Sequence, residues 1–161
     1  MTKTDIDVPL STLVDRGDIF YNLSGTTAEA VITELIRLVK LRFSGFKEDL
    51  LKAVLEREAL MPTGIGHGIA LPHPRNPLVT DTEQQFVAIG FPATPVDWQA
   101  LDGKLVHTAM LVVSASAKLH LHTLSKINFI CQDDSFLSLL KAHASREWII
   151  SAIREAELSW K

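Results

Sequence analysis

The chain contains a single cysteine, Cys131, so it forms no internal disulfide, and its composition fits a reducing compartment. Cys131 lies in the apolar run INFIC, where a small buried hydrophobe is a better reading than a reactive thiol. Long apolar runs are also missing. The longest, TAMLVVSA, falls far below the roughly 20 residues of a membrane-spanning helix. The N-terminal MTKTDIDVPL lacks the apolar core of a signal peptide. The expectation is a cytoplasmic protein with no membrane insertion. Basic residues are scattered, and 16 lysines and arginines against 19 acids leave a net charge of −3. That balance argues against a nucleic-acid binder working by phosphate neutralisation. No Gly-Lys-Ser/Thr occurs, which excludes a Walker-type nucleotide loop. Internal repeats, low-complexity segments and linkers are absent as well.

What is present is the balance of a globular domain, 47% hydrophobic and 22% charged over 161 residues. One domain over residues 1–161 is expected, with a core of about 8–156. Residues 1–17 read as polar and irregular. IFYNL (19–23) reads as a strand rich in β-branched and aromatic residues. A helix follows in SGTTAEAVITELIRLVKLR, capped by Thr26 or Thr27, with Val31, Ile32, Leu35, Ile36, Leu38 and Val39 at helical spacing. After a break at Ser44-Gly45, KEDLLKAVLEREALM predicts a second helix with Leu50, Leu51, Val54 and Leu55 inward, closed by Pro62. IGHGIAL reads as a glycine-broken strand, and FVAIGFP (86–92) and LVHTAMLVV (105–113) as clear ones. Three helices complete the chain, over 117–132, 135–143 and 146–158, with Ser116, Asp133 or Asp134, and Ser145 as caps. This order predicts an α/β fold: a single-domain three-layer sandwich, with a mixed sheet of about five strands flanked by helices on both faces.

The chemistry concentrates in PTGIGHGIALPH, residues 62–73. Its glycines resemble a dinucleotide fingerprint only superficially, because that motif opens a helix and Pro72 forbids one here. Glycines 64, 66 and 68 allow a backbone or a ligand to approach closely, and their amides offer donors to an anion. Pro72 and Pro74 bracket His73 and restrict its placement. A neutral imidazole is a good nucleophile toward phosphorus, and phosphoryl transfer needs little beyond positioning and charge stabilisation. On these residues alone, His73 is either a phosphoryl-carrying imidazole or a hydrogen-bonded cap at a strand end. Downstream, His120 and His122 lie about 200° apart on a helix and do not share a metal there. His120 belongs to the stripe of Leu124, Ile127 and Cys131, in the first turn after Ser116, where the positive helix end favours a neutral imidazole and a nearby anion. His122 faces solvent. No metal-ligand set stands out, although His67, His73 and His120 form a third, metal-binding alternative.

Two segments carry a family resemblance. Arg57-Glu58 through Thr63 to TGIGHGIALPH resembles the phosphorylation-site signature of the fructose/mannitol-type enzyme IIA domains of the bacterial phosphoenolpyruvate-dependent phosphotransferase system. HLHTLSKI (120–127) resembles the family's H-L-x-x-L block. The resemblance spans residues 8 to 156. With no fused permease in the chain, it is most similar to the stand-alone nitrogen-regulatory members. It implies a phosphotransferase that uses no cofactor and no metal. His73 would be the phosphorylated residue, through Nε2, His120 would hydrogen-bond the phosphoryl oxygens, and Arg57 would lie beside the site. Gly64, Gly66 and Gly68 would surround the phosphate. The implied donor is an HPr-like phosphocarrier protein, and the implied recipient is a IIB component or a regulatory target protein. The chain departs from the family pattern at Pro74 and Arg75, where glycine commonly follows the histidine, and at His67, where nitrogen-regulatory members often carry asparagine. Arg75 offers a second cation from the loop. His67, His107 and His143 take default surface or strand-end positions. Trp98, Trp148 and Trp160 are assigned to packing, and Phe91, Pro92 and Pro95 to a possible apolar rim.

Overall fold

The computed structural model describes residues 7–41 and 46–160. The expected break at Ser44-Gly45 lies outside them. Five strands form one mixed sheet: β1 (Ile19–Leu23), β2 (Gly64–Gly66), β3 (Ile69–Ala70), β4 (Phe86–Pro92) and β5 (Thr108–Val113), in the order β1-β4-β5-β3-β2. β1 runs parallel to β4 and β3 parallel to β5, whereas β4–β5 and β2–β3 are antiparallel. The central pair β4–β5 keeps unbroken register from Phe86↔Val113 to Gly90↔Ala109. Both strands are buried along their whole length. Their continuous apolar sequences follow from this, because helices cover both sides.

Alternation along these strands divides the core. Ala88, Leu111 and Val113 face the layer of α2 (Ala28–Leu38) and α3 (Phe46–Leu60), where they meet Val31, Leu35, Leu50 and Val54. Val87, Ile89, Met110 and Val112 face the opposite layer. That layer contains α1 (Leu10–Gly17), α4 (Ala117–Ile130), α5 (Asp134–Lys141) and α6 (Arg146–Leu158). The three-layer expectation therefore holds. Thr27 caps α2 by accepting from Ala30 N, Ser116 caps α4, Asp133 caps α5 and Ser145 caps α6. Leu51 and Leu55 of α3 are only partly buried, and Leu50 and Val54 make its inward row.

Two expectations are corrected. Residues 10–17 form α1 rather than irregular chain. Leu10, Leu13, Val14 and Gly17 turn one face inward, and Glu157 of α6 accepts from both the backbone N–H (2.7 Å) and the hydroxyl (2.9 Å) of Ser11. IGHGIAL is not one broken strand but a hairpin, with His67 and Gly68 as the two turn residues between β2 and β3. Their φ values of 58° and 80° meet the type I′ requirement for positive φ at both central positions.

Candidate functional site

His73 lies three residues beyond β3, on chain still tied into the sheet. Leu71 N–H donates to Thr63 O (3.0 Å), and Val112 N–H donates to Pro72 O (3.0 Å). Pro72 and Pro74 are both buried, so the turns on either side of the histidine are packed as well as stiff. The imidazole Nδ1 lies 2.7 Å from Leu71 O. A carbonyl only accepts, so Nδ1 carries the proton and Nε2 keeps its lone pair. The fold thus selects both the tautomer and the nitrogen that faces outward chemistry.

His120 is the fourth residue of α4, one turn after the cap. Ser116 Oγ accepts from Leu119 N–H (3.2 Å), and His120 N–H donates to Ser116 O (3.0 Å). Its ring centroid lies 4.6 Å from that of His73, with the planes tilted by 44°. Burial pushes the His120 pKa down to about 4, assisted by His73 and Arg57. Burial also lowers His73; the Leu71 hydrogen bond opposes this and the Arg57 charge reinforces it. Both rings are therefore neutral at physiological pH.

Arg57 stands in the last turn of α3, where Nη1 donates to Met61 O (2.8 Å) and closes the helix end. Its charge acts on both histidines. Its neighbour Glu58 performs a task that sequence reading missed. Its carboxylate accepts from Thr63 N–H (2.7 Å) and Thr63 Oγ1 (2.5 Å), and Thr63 O in turn receives Leu71 N–H. Glu58 thereby anchors the strand segment whose Leu71 carbonyl orients His73. The signal was present in the Arg-Glu and Thr positions of the motif, but only tertiary contacts reveal the direction of the chain of bonds.

The glycines have local reasons. A Cβ on Gly64 would stand 2.9 Å from the Ala100 Cβ, and one on Gly68 would stand 2.4 Å from the His107 ring. Gly66 and Gly68 also take positive φ. These contacts serve the hairpin and its neighbours. Arg75 is exposed in the loop after His73, and His122 is exposed on α4, as expected. His67 sits on the hairpin turn, apart from the His73–His120 pair, and no metal-ligating group of three His, Cys, Asp or Glu occurs among the described residues. The metal alternative is therefore set aside. Trp98 is buried at 2% exposure and Trp160 packs edge-on against Phe129, but Trp148 is 68% exposed and does not serve packing. Phe91 is fully buried, stacked on His143 and tilted against Tyr21, so it forms no rim. Burial pushes the Cys131 thiol up to about 12, in keeping with its reading as a hydrophobe.

The lowered histidine pKa values carry a stability consequence. The unfolded chain binds protons near the ordinary value of 6.5, whereas native His120 resists until about 4. Native stability therefore falls as pH drops from 6.5 toward about 4. Chemical denaturation across that range should show the decline, and His120→Gln should flatten it. An unchanged slope in the variant would contradict the burial argument.

Residues 12–156 match the family model described as "Phosphoenolpyruvate-dependent sugar phosphotransferase system, EIIA 2". The nitrogen regulatory protein of Escherichia coli (strain K12) is 29% identical over 159 residues, covering 98% of this chain and 96% of that protein. Among solved structures, the nitrogen regulatory protein IIA-Ntr from Neisseria meningitidis superposes with a TM-score of 0.75 at 25% identity, over 89% of this chain and 97% of that one. The Escherichia coli enzyme IIA-mannitol, solved in complex with phosphorylated enzyme IIB-mannitol, shares the fold with a TM-score of 0.67 at 17% identity, over 86% of this chain and 95% of that one. No helix among the described residues is long and apolar enough to cross a membrane. The chain belongs to the EIIA type 2 family of the phosphoenolpyruvate-dependent sugar phosphotransferase system.

Proposed function

We propose that His73 is the phosphoryl acceptor of this EIIA domain, working through Nε2. The observation that carries the reading is the 2.7 Å bond from Nδ1 to Leu71 O, which leaves Nε2 as the unprotonated nitrogen beside His120. In the forward step Nε2 attacks the phosphorus of a phosphohistidine on an HPr-like carrier. The P–N bond of the donor breaks, its imidazole leaves, and a P–Nε2 bond forms on His73. The three phosphoryl oxygens keep their negative charge throughout. Neutral His120 donates to one of them, and Arg57 supplies fixed positive charge to the site. The proton remains on Nδ1, which donates it to the Leu71 carbonyl, and that carbonyl stabilises the positive charge that the imidazole gains. No nucleotide, metal or cofactor enters this step.

In onward transfer a nucleophile of a IIB component attacks the phosphorus, the P–Nε2 bond breaks, and the His73 imidazole leaves as the new bond to the IIB component forms. A second reading, that the phosphorylation state of His73 controls binding to a regulatory target, is favoured by the nitrogen regulatory relatives matched over nearly the full chain. Both roles place the protein in the cytoplasm. Incubation with enzyme I, an HPr-like protein and phosphoenolpyruvate, followed by NMR of the labelled imidazoles, tests the central claim. The expected product carries phosphorus on Nε2 of His73. Phosphorus on Nδ1, or on another histidine, overturns it.

A further inference from the structure

Five of the chain's six histidines fall into two groups at opposite ends of the β3–β5 pair. His73 and His120 occupy one end. At the other, His67, His107 and His143 line a cavity of about 600 Å³ together with Lys104 and Lys141. Gly68 O accepts from His107 N–H (2.8 Å) at that end, whereas Pro72 O accepts from Val112 N–H at the other. His107 and Val112 stand five residue steps apart along the chain, roughly 16 Å.

Two of these histidines break local backbone rules. His67 occupies a type I′ turn position with φ 58°, where Asn or Gly is usual. His143 follows the C-cap of α5 with φ 51°, and its N–H donates to Leu140 O while Ala144 N–H donates to Leu139 O. That is a Schellman ending, whose left-handed residue is ordinarily glycine or asparagine. The two positions lie far apart in sequence, yet both direct an imidazole to the same cavity. Departures from local preference that converge in space mark functional sites.

The two charged side chains that line the cavity are both lysines. Among the described residues neither lysine is in a salt bridge. Asp102, which is not among the lining residues, accepts from the backbone N–H groups of His67 and Lys104 (both 3.0 Å), and its carboxylate feels the Lys104 charge. The Schellman bonds occupy the Leu139 and Leu140 carbonyls at the end of α5. Burial lowers the His107 pKa, the charges of His143 and Lys141 add to this, and the hydrogen bond to the His67 backbone opposes it. Pro95, Leu105 and Leu137 add an apolar wall. His143 is held in place by stacking on Phe91 at 4.6 Å.

We propose that this cavity is a second anion site, which takes a small phosphate monoester. The two lysines match the dianion, the His67 and His143 imidazoles serve as donors, and the apolar wall receives a short carbon skeleton, while His107 is held by Thr108 Oγ1 (2.7 Å) and the His67 backbone. The volume lies within the range of small-molecule pockets. The site is independent of the phosphoryl-acceptor reading, and its test is run in a His73→Ala background so that the two fail separately.

Glucose 6-phosphate is titrated into the isotopically labelled full chain, with glucose and succinate as parallel arms, and amide shifts are followed. Glucose 6-phosphate should give saturable shifts at His67, Lys104, Leu105, His107 and Lys141, glucose none, and succinate weaker ones. A Lys104→Gln/Lys141→Gln double variant should bind about tenfold more weakly or worse. Both lysines are exposed, so this variant should keep the wild-type melting temperature and fold. Single Lys141→Gln, with an intermediate loss, provides a second measure. Shifts confined to the His120 end, equal binding of succinate, or an affinity unmoved by the double variant would each overturn the site.

Discussion

A His73→Ala variant takes up no phosphoryl group under conditions that label the wild type fully. A His120→Ala variant takes it up on the order of 100-fold more slowly. The first effect is absolute because no other nucleophile is equally prepared. Cys131 is buried with its thiol pKa pushed up to about 12, so it carries no thiolate at neutral pH. His120 has a neutral ring, but no carbonyl holds one of its nitrogens as Leu71 holds Nδ1 of His73. The second effect is partial because His120 is proposed to donate and not to attack. Removing one positioned donor from a partly desolvated site costs about 100- to 1,000-fold in oxyanion-type sites. Labelled phosphoenolpyruvate, enzyme I and an HPr-like protein provide the assay, with time courses to separate rate from extent. Equal labelling of wild type and His73→Ala would falsify the acceptor assignment. Wild-type rates in His120→Ala would remove that ring from the step while leaving His73 in place.

Gly17→Ala should cost about 3 kcal/mol of stability, a large share of the roughly 5–15 kcal/mol that holds a domain together. Gly17 ends α1 against β4, and a Cβ there would stand 2.1 Å from the Val87 carbonyl oxygen and 2.4 Å from its carbon. These are backbone atoms of a central strand whose own ladder fixes them, so no side chain can swing aside. Either α1 lifts away from Val87 and Ile89 or β4 shifts against β5. Gly103→Ala makes the matched comparison. Its φ of 72° disfavours any side chain, but nothing lies within 4 Å of the new methyl group. It should lose about 1 kcal/mol, from backbone conformation alone. Urea unfolding of both variants separates the two causes, and equal losses would contradict the packing account.

The sheet, its layers and the caps of α2, α4, α5 and α6 were legible, two of the caps to within one residue, because they rest on local signals. FVAIGFP matches β4 residue for residue, and REWIISAIREAEL matches α6, since each has a clear period bounded by turn or cap residues. Helix α1 was not legible. Its eight residues include Ser, Thr and Gly, and Pro9 supplies no side-chain cap, so its stability comes from packing on β4 and from the bond to Glu157. The hairpin at His67-Gly68 was missed for a related reason: histidine is not the residue a type I′ turn leads one to expect. At the proposed site, motif and resemblance named His73, His120 and Arg57, and the fold brings their side chains together. The role of Glu58 required the path through Thr63 and Leu71, which depends on three segments meeting. The exposure of Trp148 and the burial of Phe91 reversed simple composition rules, because only the assembled layers decide which aromatic reaches solvent.

The outermost strands of the sheet bear on how the protein behaves in a crowded solution. An edge strand with free backbone groups is a template for another chain, and long flat edges invite aggregation. Both edges here are interrupted. β2 is three residues long and ends at Gly66, which has φ 92°. β1 slips register between Phe20 and Leu23, around an Asn22 in the left-handed region with φ 56°. Neither offers the run of evenly spaced donors and acceptors that strand addition needs. A phosphoryl carrier must meet its partners and part from them many times. Blunted edges leave those meetings to side chains and keep them brief.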